Sequence, residues 1–115
     1  GEGDRILNNF LKINLKKYSE EKNAKKIQVY VKTEYSKNEI SKDATGSVAK
    51  FEITAKVIFL VIDQNSKKDK IIITESFTMN RLDDLNSETK YERIIKQNFA
   101  SSISNKLIIE LLKIK

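Results

Sequence analysis

The 115-residue sequence contains no histidine, no cysteine and no proline. Without histidine it lacks the side chain that most often acts as a general acid or base near neutral pH, and also the commonest metal ligand. Without cysteine it has neither a thiol nucleophile nor the means to form a disulfide. Gly46 is the only glycine beyond residue 3, so no glycine-rich phosphate loop is present. These absences predict a binding protein that is not an enzyme and that carries no metal or other cofactor.

The chain also lacks the apolar run of about 20 residues that a membrane-spanning helix requires. Its length suits a single domain, which we place at 1–115. Lysine and arginine number 22 against 16 aspartates and glutamates, which gives a net charge of +6. This excess predicts attraction to a polyanion such as nucleic acid, an anionic membrane surface or a phosphorylated glycolipid. The alternative is that many of the lysines only keep the protein soluble.

The N-terminal third changes from a helical to a strand period. Asp4 is a predicted N-cap, because its carboxylate can accept hydrogen bonds from the free amides of a first helical turn. The residues after it form one apolar stripe with spacings of three and four: Ile6, Leu7, Phe10, Leu11, Leu15 and Tyr18. From Ile27 to Tyr35 apolar and polar residues alternate, which predicts a half-buried strand.

Two more strands follow. Residues 36–47 are polar and contain Gly46, so we predict a long hairpin loop there, and residues 63–69 predict a second hairpin turn. The inward residues of the strand between them are Phe51, Ile53, Ala55, Val57, Phe59 and Val61. Those of the third strand are Ile71, Ile73, Phe77 and Met79. Glu75 interrupts this series, as expected at a bulge or near a sheet edge.

The last element is a long predicted helix. Thr89 and Glu92 have the spacing of a capping box, in which each side chain bonds the other's free amide. An apolar stripe then continues for about 25 residues, through Tyr91, Ile95, Phe99, Ile103, Leu107 and Leu111. The predicted fold is therefore α+β. It has two layers, an antiparallel sheet of three to four strands and two helices on one face of it, in the order αβββα.

The middle strand is unusual because its outward row changes from polar to apolar. Lys50, Glu52, Thr54 and Lys56 come first, and apolar residues come after them. We predict a partner-binding surface formed by Tyr30, Ile58, Leu60, Ile62 and Ile72. An exposed apolar patch of a few hundred Å² usually marks an interaction site. The alternatives are that a segment of the same chain or a second copy of it covers these residues.

Lysines concentrate around the two hairpins and the start of the last helix. Lys37, Lys42 and Lys50 flank the first hairpin, and Lys90 lies where the last helix begins. An ammonium group suits phosphate without demanding a particular geometry. We therefore predict anion binding by Lys42, Lys50 and Lys90. The alternative for each lysine is that it is exposed to solvent and binds no ligand.

A double-stranded RNA-binding domain has the same order of elements and is also basic. Such domains carry a Gly-Pro-x-His loop between the first two strands and a Lys-Lys-x-Ala-Lys cluster at the start of the second helix. This sequence has no proline or histidine, and its last helix opens Thr89-Lys90-Tyr91-Glu92-Arg93. Nucleic-acid binding is therefore the weaker alternative.

Four segments of the sequence together resemble the lipopolysaccharide-assembly lipoprotein family LptE, in particular its alphaproteobacterial forms. Residues 3–11 (GDRILNNFL) are similar to the opening of the family's first helix, and residues 26–31 (KIQVYV) to the strand that follows. Residues 49–57 (AKFEITAKV) are similar to the long middle strand, and residues 105–111 (NKLIIEL) to the end of the last helix. The likeness extends along nearly the whole chain.

The resemblance implies an outer-membrane lipoprotein on the periplasmic side that plugs an LptD-type β-barrel and helps deliver lipopolysaccharide to the outer leaflet. The first alternative is another periplasmic lipoprotein interaction domain, ahead of the double-stranded RNA-binding module. The family normally has an acylated N-terminal cysteine and a strand before the first helix. Both are missing here, so we expect a truncated form without its lipid anchor and with an unfilled position in the sheet, through which two copies could pair. In the family, basic residues near the first hairpin and the start of the last helix are implicated in lipopolysaccharide contact. Lys42, Lys50 and Lys90 lie in the same regions of this sequence, so the resemblance implies that they contact lipopolysaccharide.

Overall fold

The computed structural model describes residues 3–22, 28–63 and 65–113. The elements are α1 (Arg5–Lys22), β1 (Gln28–Lys42), β2 (Val48–Ile62), β3 (Lys68–Asn80) and α2 (Leu85–Lys113). The strands form an antiparallel sheet in the order β1-β2-β3. This confirms the predicted α+β class and the order αβββα. The predicted strand start at Ile27 lies outside the described residues.

Both helices pack on the same face of the sheet, as predicted. Leu7 and Leu11 of α1 are fully buried against the inward residues of β2 and against α2. The core consists of apolar residues from the two helices and the odd-numbered strand positions: Leu7, Leu11, Ile53, Ala55, Val57, Phe59, Val61, Ile73, Met79, Ile95, Phe99, Ala100, Ile103 and Leu107. Side chains alternate between the faces of a strand, so the even-numbered residues of β2 lie on the face without helices. We call this the open face.

The strands are longer than the sequence pattern predicts, and the predicted long loop over residues 36–47 is wrong. β1 continues to Lys42, and its pairing with β2 extends from Gln28↔Ile62 to Lys42↔Val48. The backbone ladder needs no apolar side chains, so the polar residues 36–42 pair in spite of having no hydrophobic alternation. The register shifts between Glu39 and Ser41 and again between Ser41 and Lys42. The true loop is only residues 43–47.

The two hairpins use the same turn geometry. The Asp43 carboxylate accepts hydrogen bonds from the amides of Thr45 (2.9 Å) and Ser47 (3.0 Å). The Asp63 carboxylate accepts them from the amides of Asn65 (2.8 Å) and Lys67 (2.9 Å). The fourth turn residue has a positive φ in both cases, +86° at Gly46 and +63° at Ser66. An aspartate at the first turn position thus closes both loops locally.

The N-cap of α1 is as predicted, and that of α2 is not. The Asp4 carboxylate accepts from the amide of Leu7 at 2.9 Å. The N-cap of α2 is Asp84, whose carboxylate accepts from the amide of Asn86 at 3.0 Å. The predicted capping box at Thr89–Glu92 is wrong because the helix begins four residues before Thr89, and the Glu92 side chain is used in contacts with β1.

Glu75 was expected at a bulge or near a sheet edge. It lies on β3, an edge strand of the described sheet, and the strand has no bulge there. The pairing of β2 with β3 is continuous from Lys50↔Asn80 to Ile62↔Lys68. Glu75 points to the helix side, where its carboxylate accepts a hydrogen bond from Ser102 and forms an ion pair with Lys106. Glu75 therefore interrupts the apolar series because its side chain makes a polar contact between β3 and α2.

The molecule is elongated, with principal extents of 59 × 22 × 21 Å. Neither of the described helices has the length and apolar character needed to cross a membrane.

Candidate binding surfaces

The open face carries the predicted partner surface, which we call the apolar patch: Tyr30, Ile58, Leu60, Ile62 and Ile72. The sheet register places Leu60 opposite Tyr30, and Ile58 opposite Ile72. Tyr30 is 58% exposed and Ile72 is 51% exposed, while the three β2 residues are partly exposed. No described helix or strand lies over them. The structure thus brings all five residues together on three adjacent strands.

The other half of the open face is polar. Lys56 forms an exposed ion pair with Glu34 at 3.9 Å, and the hydroxyls of Thr54 and Ser76 are hydrogen-bonded at 3.2 Å across the strands. Such exposed pairs contribute little to stability. The boundary between polar and apolar halves falls between Lys56 and Ile58.

The helix side contains a polar network that sequence reasoning missed. Lys37 lies between two carboxylates of α2, at 2.9 Å from Glu92 and 3.1 Å from Glu88. The Tyr35 hydroxyl donates to Glu92 at 2.7 Å. The sequence pattern placed Lys37 among the lysines of a loop. Extending the odd-numbered inward row of β1 by one step beyond Tyr35 would have placed it on the helix side.

The same network reaches the start of α1. Lys96 of α2 forms an ion pair with Asp4 at 3.0 Å and lies 4.4 Å from the ring centre of Tyr35. The Asp4 amide donates to the hydroxyl of Thr33 at 2.8 Å. Gly3 has a φ of +114°, and a Cβ atom there would lie 2.1 Å from the Thr33 carbonyl oxygen. Only glycine fits at this crossing, which fixes α1 against β1.

The network shifts the pKa values of its members. Burial, reinforced by the hydrogen bond to Glu92, raises the pKa of the Tyr35 hydroxyl well above its ordinary value. Burial disfavours the charged form of Glu92, but hydrogen bonds from Lys37 and Tyr35 outweigh it and lower the pKa of Glu92. Burial likewise disfavours the charged form of Lys37, but its bonds to Glu92 and Glu88 raise its pKa. The groups are held in the protonation states that bind one another, which indicates a structural role.

The first hairpin and the start of α2 lie at the same end of the molecule. Arg81 connects them, because its amide donates to the Ala49 carbonyl oxygen at 2.9 Å and its guanidinium lies 3.5 Å from the Val48 carbonyl oxygen. Arg81 was not among the predicted site residues. Its position directly after the third strand, which in an antiparallel sheet ends beside the first hairpin, could have identified it from the sequence.

A cleft of about 560 Å³ opens at this end. Lys42 and Arg81 line it, together with the acidic residues Glu39, Asp83 and Glu88. The charge of its wall is therefore mixed. Of the predicted anion-binding residues, Lys42 is the one that lines the cleft.

The other two predicted lysines point elsewhere. Lys50 is exposed on the open face opposite Asn80, and Lys90 is exposed in the second turn of α2. The three lysines share one end of the molecule but do not converge on one pocket. Their anion-binding role stays a prediction. Among the described residues, no three acidic side chains come together in a way that could hold a metal ion.

Comparisons with known proteins found similarity in structure alone. No protein-family model and no curated protein matches the chain. Rare lipoprotein B from Shewanella oneidensis superposes with a TM-score of 0.68 at 13% identity, covering 90% of this chain and 88% of that one. A minor lipoprotein from Acinetobacter baumannii superposes with a TM-score of 0.54 at 17% identity, covering 92% and 87%. The chain therefore has the fold of these two bacterial lipoproteins, which supports the LptE-like fold implied by the resemblance.

Proposed function

We propose that the chain is the folded domain of an LptE-type lipoprotein, of the alphaproteobacterial kind, that acts by binding and not by catalysis. It would plug and support an LptD-type β-barrel on the periplasmic side of the outer membrane and help deliver lipopolysaccharide to the outer leaflet. An N-terminal lipid anchor in the full-length protein would hold it at the membrane. The fold shared with two lipoproteins supports the class of protein.

The observation that carries the proposal is the apolar patch on the open face. These residues lie outside the core on the helix side, and no described element covers half-exposed Tyr30 and Ile72, which would gain from burial against another molecule. Burying apolar surface stabilises a complex by roughly 25 cal/mol per Å² before the costs of association. A patch that spans three strands can therefore anchor a partner, while the polar half of the same face stays hydrated at the rim of the interface.

The barrel contact is tested by co-purification of the full-length protein with the LptD-type barrel of the same organism. In one variant, Leu60→Lys and Ile72→Lys place two charges in the apolar patch. In the matched control, Thr54→Lys and Thr78→Lys place two charges in the polar half of the same face. We expect the patch variant to recover about tenfold less barrel, because a charge buried without a partner is costly. The control should recover as much as the wild type, and circular dichroism should show both variants folded.

Equal recovery of the barrel by the patch variant and the wild type would refute the open face as the contact. Failure of the wild type to recover any barrel would refute the assembly itself.

For lipopolysaccharide, the proposed contacts are electrostatic and sensitive to salt. We expect Lys42→Ala, Lys50→Ala and Lys90→Ala together to weaken binding of purified lipopolysaccharide about tenfold at low ionic strength, with less effect at high salt. Lys12→Ala, Lys16→Ala and Lys113→Ala together remove the same charge from other exposed sites and serve as the control. Duplex RNA at physiological salt is the competing ligand. Equal losses in both triple variants, or tighter binding of RNA than of lipopolysaccharide, would contradict the proposal.

A further inference from the structure

The two edges of the sheet differ in how they are protected from further pairing. β1 carries two register shifts near its end, between Glu39 and Lys42, and such irregularities discourage the addition of another strand. Gly3 and Asp4 also lie against Thr33 of β1, on the side of the sheet nearer that edge. β3 is an unbroken strand of 13 residues that pairs with β2 alone among the described strands. Its outer backbone groups are available to a further strand.

A groove of about 600 Å³ runs along this free edge. One wall is five consecutive residues of β3, from Lys70 to Thr74, and the other is α2, with Lys106, Ile109 and Glu110. Ile109 is 54% exposed in this position. An added strand would therefore gain main-chain hydrogen bonds from β3 and an apolar contact from the helix above it. Strand addition of this kind obtains affinity from the backbone and specificity from alternate side chains.

The side chains of β3 define what the added strand should contain. On the open face, Lys68, Lys70 and Ile72 follow one another, and both lysines are exposed with no ion pair to any described residue. On the helix side, Ile71 and Ile73 are adjacent to the groove. Opposite charges directly across two strands are favourable and like charges are not. Complementary residues are thus acidic opposite the two lysines and apolar opposite the three isoleucines.

A second copy of the chain fits less well. An antiparallel pair of β3 strands centred on Ile72 would place Thr74 of the other copy opposite Lys70, and Ser76 opposite Lys68. Neither lysine would meet a carboxylate. From this charge pattern we infer that the β3 edge docks an extended segment of a partner protein with acidic and apolar residues in the order given above. This interaction lies beyond the proposed function, because it uses the backbone edge of β3 and a helix wall and shares only Ile72 with the apolar patch.

The test uses a fluorescent peptide of about nine residues, Ser-Thr-Val-Val-Val-Glu-Thr-Glu-Ser, and the whole 115-residue chain. Aligned antiparallel to β3, its valines lie opposite Ile73, Ile72 and Ile71 and its glutamates opposite Lys70 and Lys68. We expect saturable binding by fluorescence anisotropy and hydrogen-exchange protection of β3 amides. A peptide with lysines in place of both glutamates should bind about tenfold more weakly.

The variant with Lys68→Glu and Lys70→Glu should reverse this preference and bind the lysine peptide more tightly. Lys32→Glu, an exposed charge reversal on β1 at the opposite edge of the same face, is the control and should change neither affinity. Equal affinity for the two peptides, or protection of β1 instead of β3, would refute the inference. So would concentration-dependent self-association with β3 protection in the absence of peptide, since the occupant would then be a second copy. None of these results depends on recovery of a barrel, so the proposed function is tested separately.

Discussion

Phe59 and Leu60 are neighbours on β2 and belong to two very different environments. Phe59 points to the helix side and is completely buried, whereas Leu60 points to the open face and is partly exposed. The helix side has both an apolar core and a polar network whose charges are paired with one another. The open face has an apolar row on β2, flanked by exposed Lys32 on β1 and Lys70 on β3, with no described element above it. The helix side thus contains the core, and the partly exposed apolar residues of the open face are available for binding.

The largest expected difference in the free energy of unfolding is between two variants in which Phe59 or Leu60 is replaced by alanine. Phe59→Ala removes a fully buried ring and should lower the free energy of unfolding by about 3–5 kcal/mol. Leu60→Ala should cost less, about 1–2 kcal/mol, because part of its side chain is already in contact with water. Urea denaturation of both variants measures the difference. Similar losses for the two would mean that the open face is as much a part of the core as the helix side.

The polar network should give an intermediate effect. Glu92→Gln keeps the shape of the side chain but leaves Lys37 and Lys96 with one charged partner fewer, so we expect a loss of about 1–2 kcal/mol. Glu52→Gln makes the same change on the open face, where the side chain is exposed, and should alter stability by less than about 0.5 kcal/mol. Equal urea midpoints for the two variants would show that the network contributes nothing to stability.

The pH dependence of stability should also reflect the helix side. Glu92 and Glu75 have lowered pKa values in the folded chain, so their contribution is present above about pH 4.5 and is lost as the pH falls through the folded values. Tyr35 and Lys37 have raised pKa values, so their contribution is present below about pH 10 and is lost as the pH rises further. Urea titrations between about pH 3 and pH 11 should show both losses. The acid loss should be smaller in Glu92→Gln than in Glu52→Gln.

The smallest effect on stability is expected at the exposed edge of the apolar patch. Ile72→Thr keeps a β-branched side chain that suits a strand, and Ile72 is half-exposed, so the free energy of unfolding should change by less than about 1 kcal/mol. Binding of a hydrophobic dye to the folded protein should nevertheless decrease. A strongly destabilised Ile72→Thr, measured by urea denaturation, would place this residue in the core and contradict the division between the two faces.

The hydrophobic periods predicted the order of the elements and the side of the sheet on which the apolar strand residues lie. The alternation from Phe51 to Val61 placed the inward row correctly, and the even-numbered residues from Ile58 to Ile62 identified the apolar half of the open face. Both patterns are local, so one sequence is enough to read them. The ends of elements were less predictable. Polar residues extend β1 through backbone pairing and, at Lys37, through ion pairs with α2. Asp84 caps α2 before its apolar stripe begins.

The polar network could not be predicted for a different reason. Its contacts join residues far apart in the sequence, such as Asp4 with Lys96 and Lys37 with Glu88. Each member alone is an ordinary charged residue in a chain with many of them. Only the packing of α2 across β1 brings them together. The same limit applies to the groove along β3, since its helix wall is formed by residues that follow the strand by about one-third of the chain.

The elongated shape has a consequence for any assembly that the chain joins. Ten residues of β2 separate Lys50, at the end with the cleft, from Leu60, within the apolar patch. At about 3.3 Å per strand residue this is a separation of about 33 Å, more than half of the 59 Å long axis. A ligand at one end and a protein at the other would not compete for space. The two ends of the molecule therefore differ, and a partner that holds the apolar patch also determines where the cleft at the other end is presented.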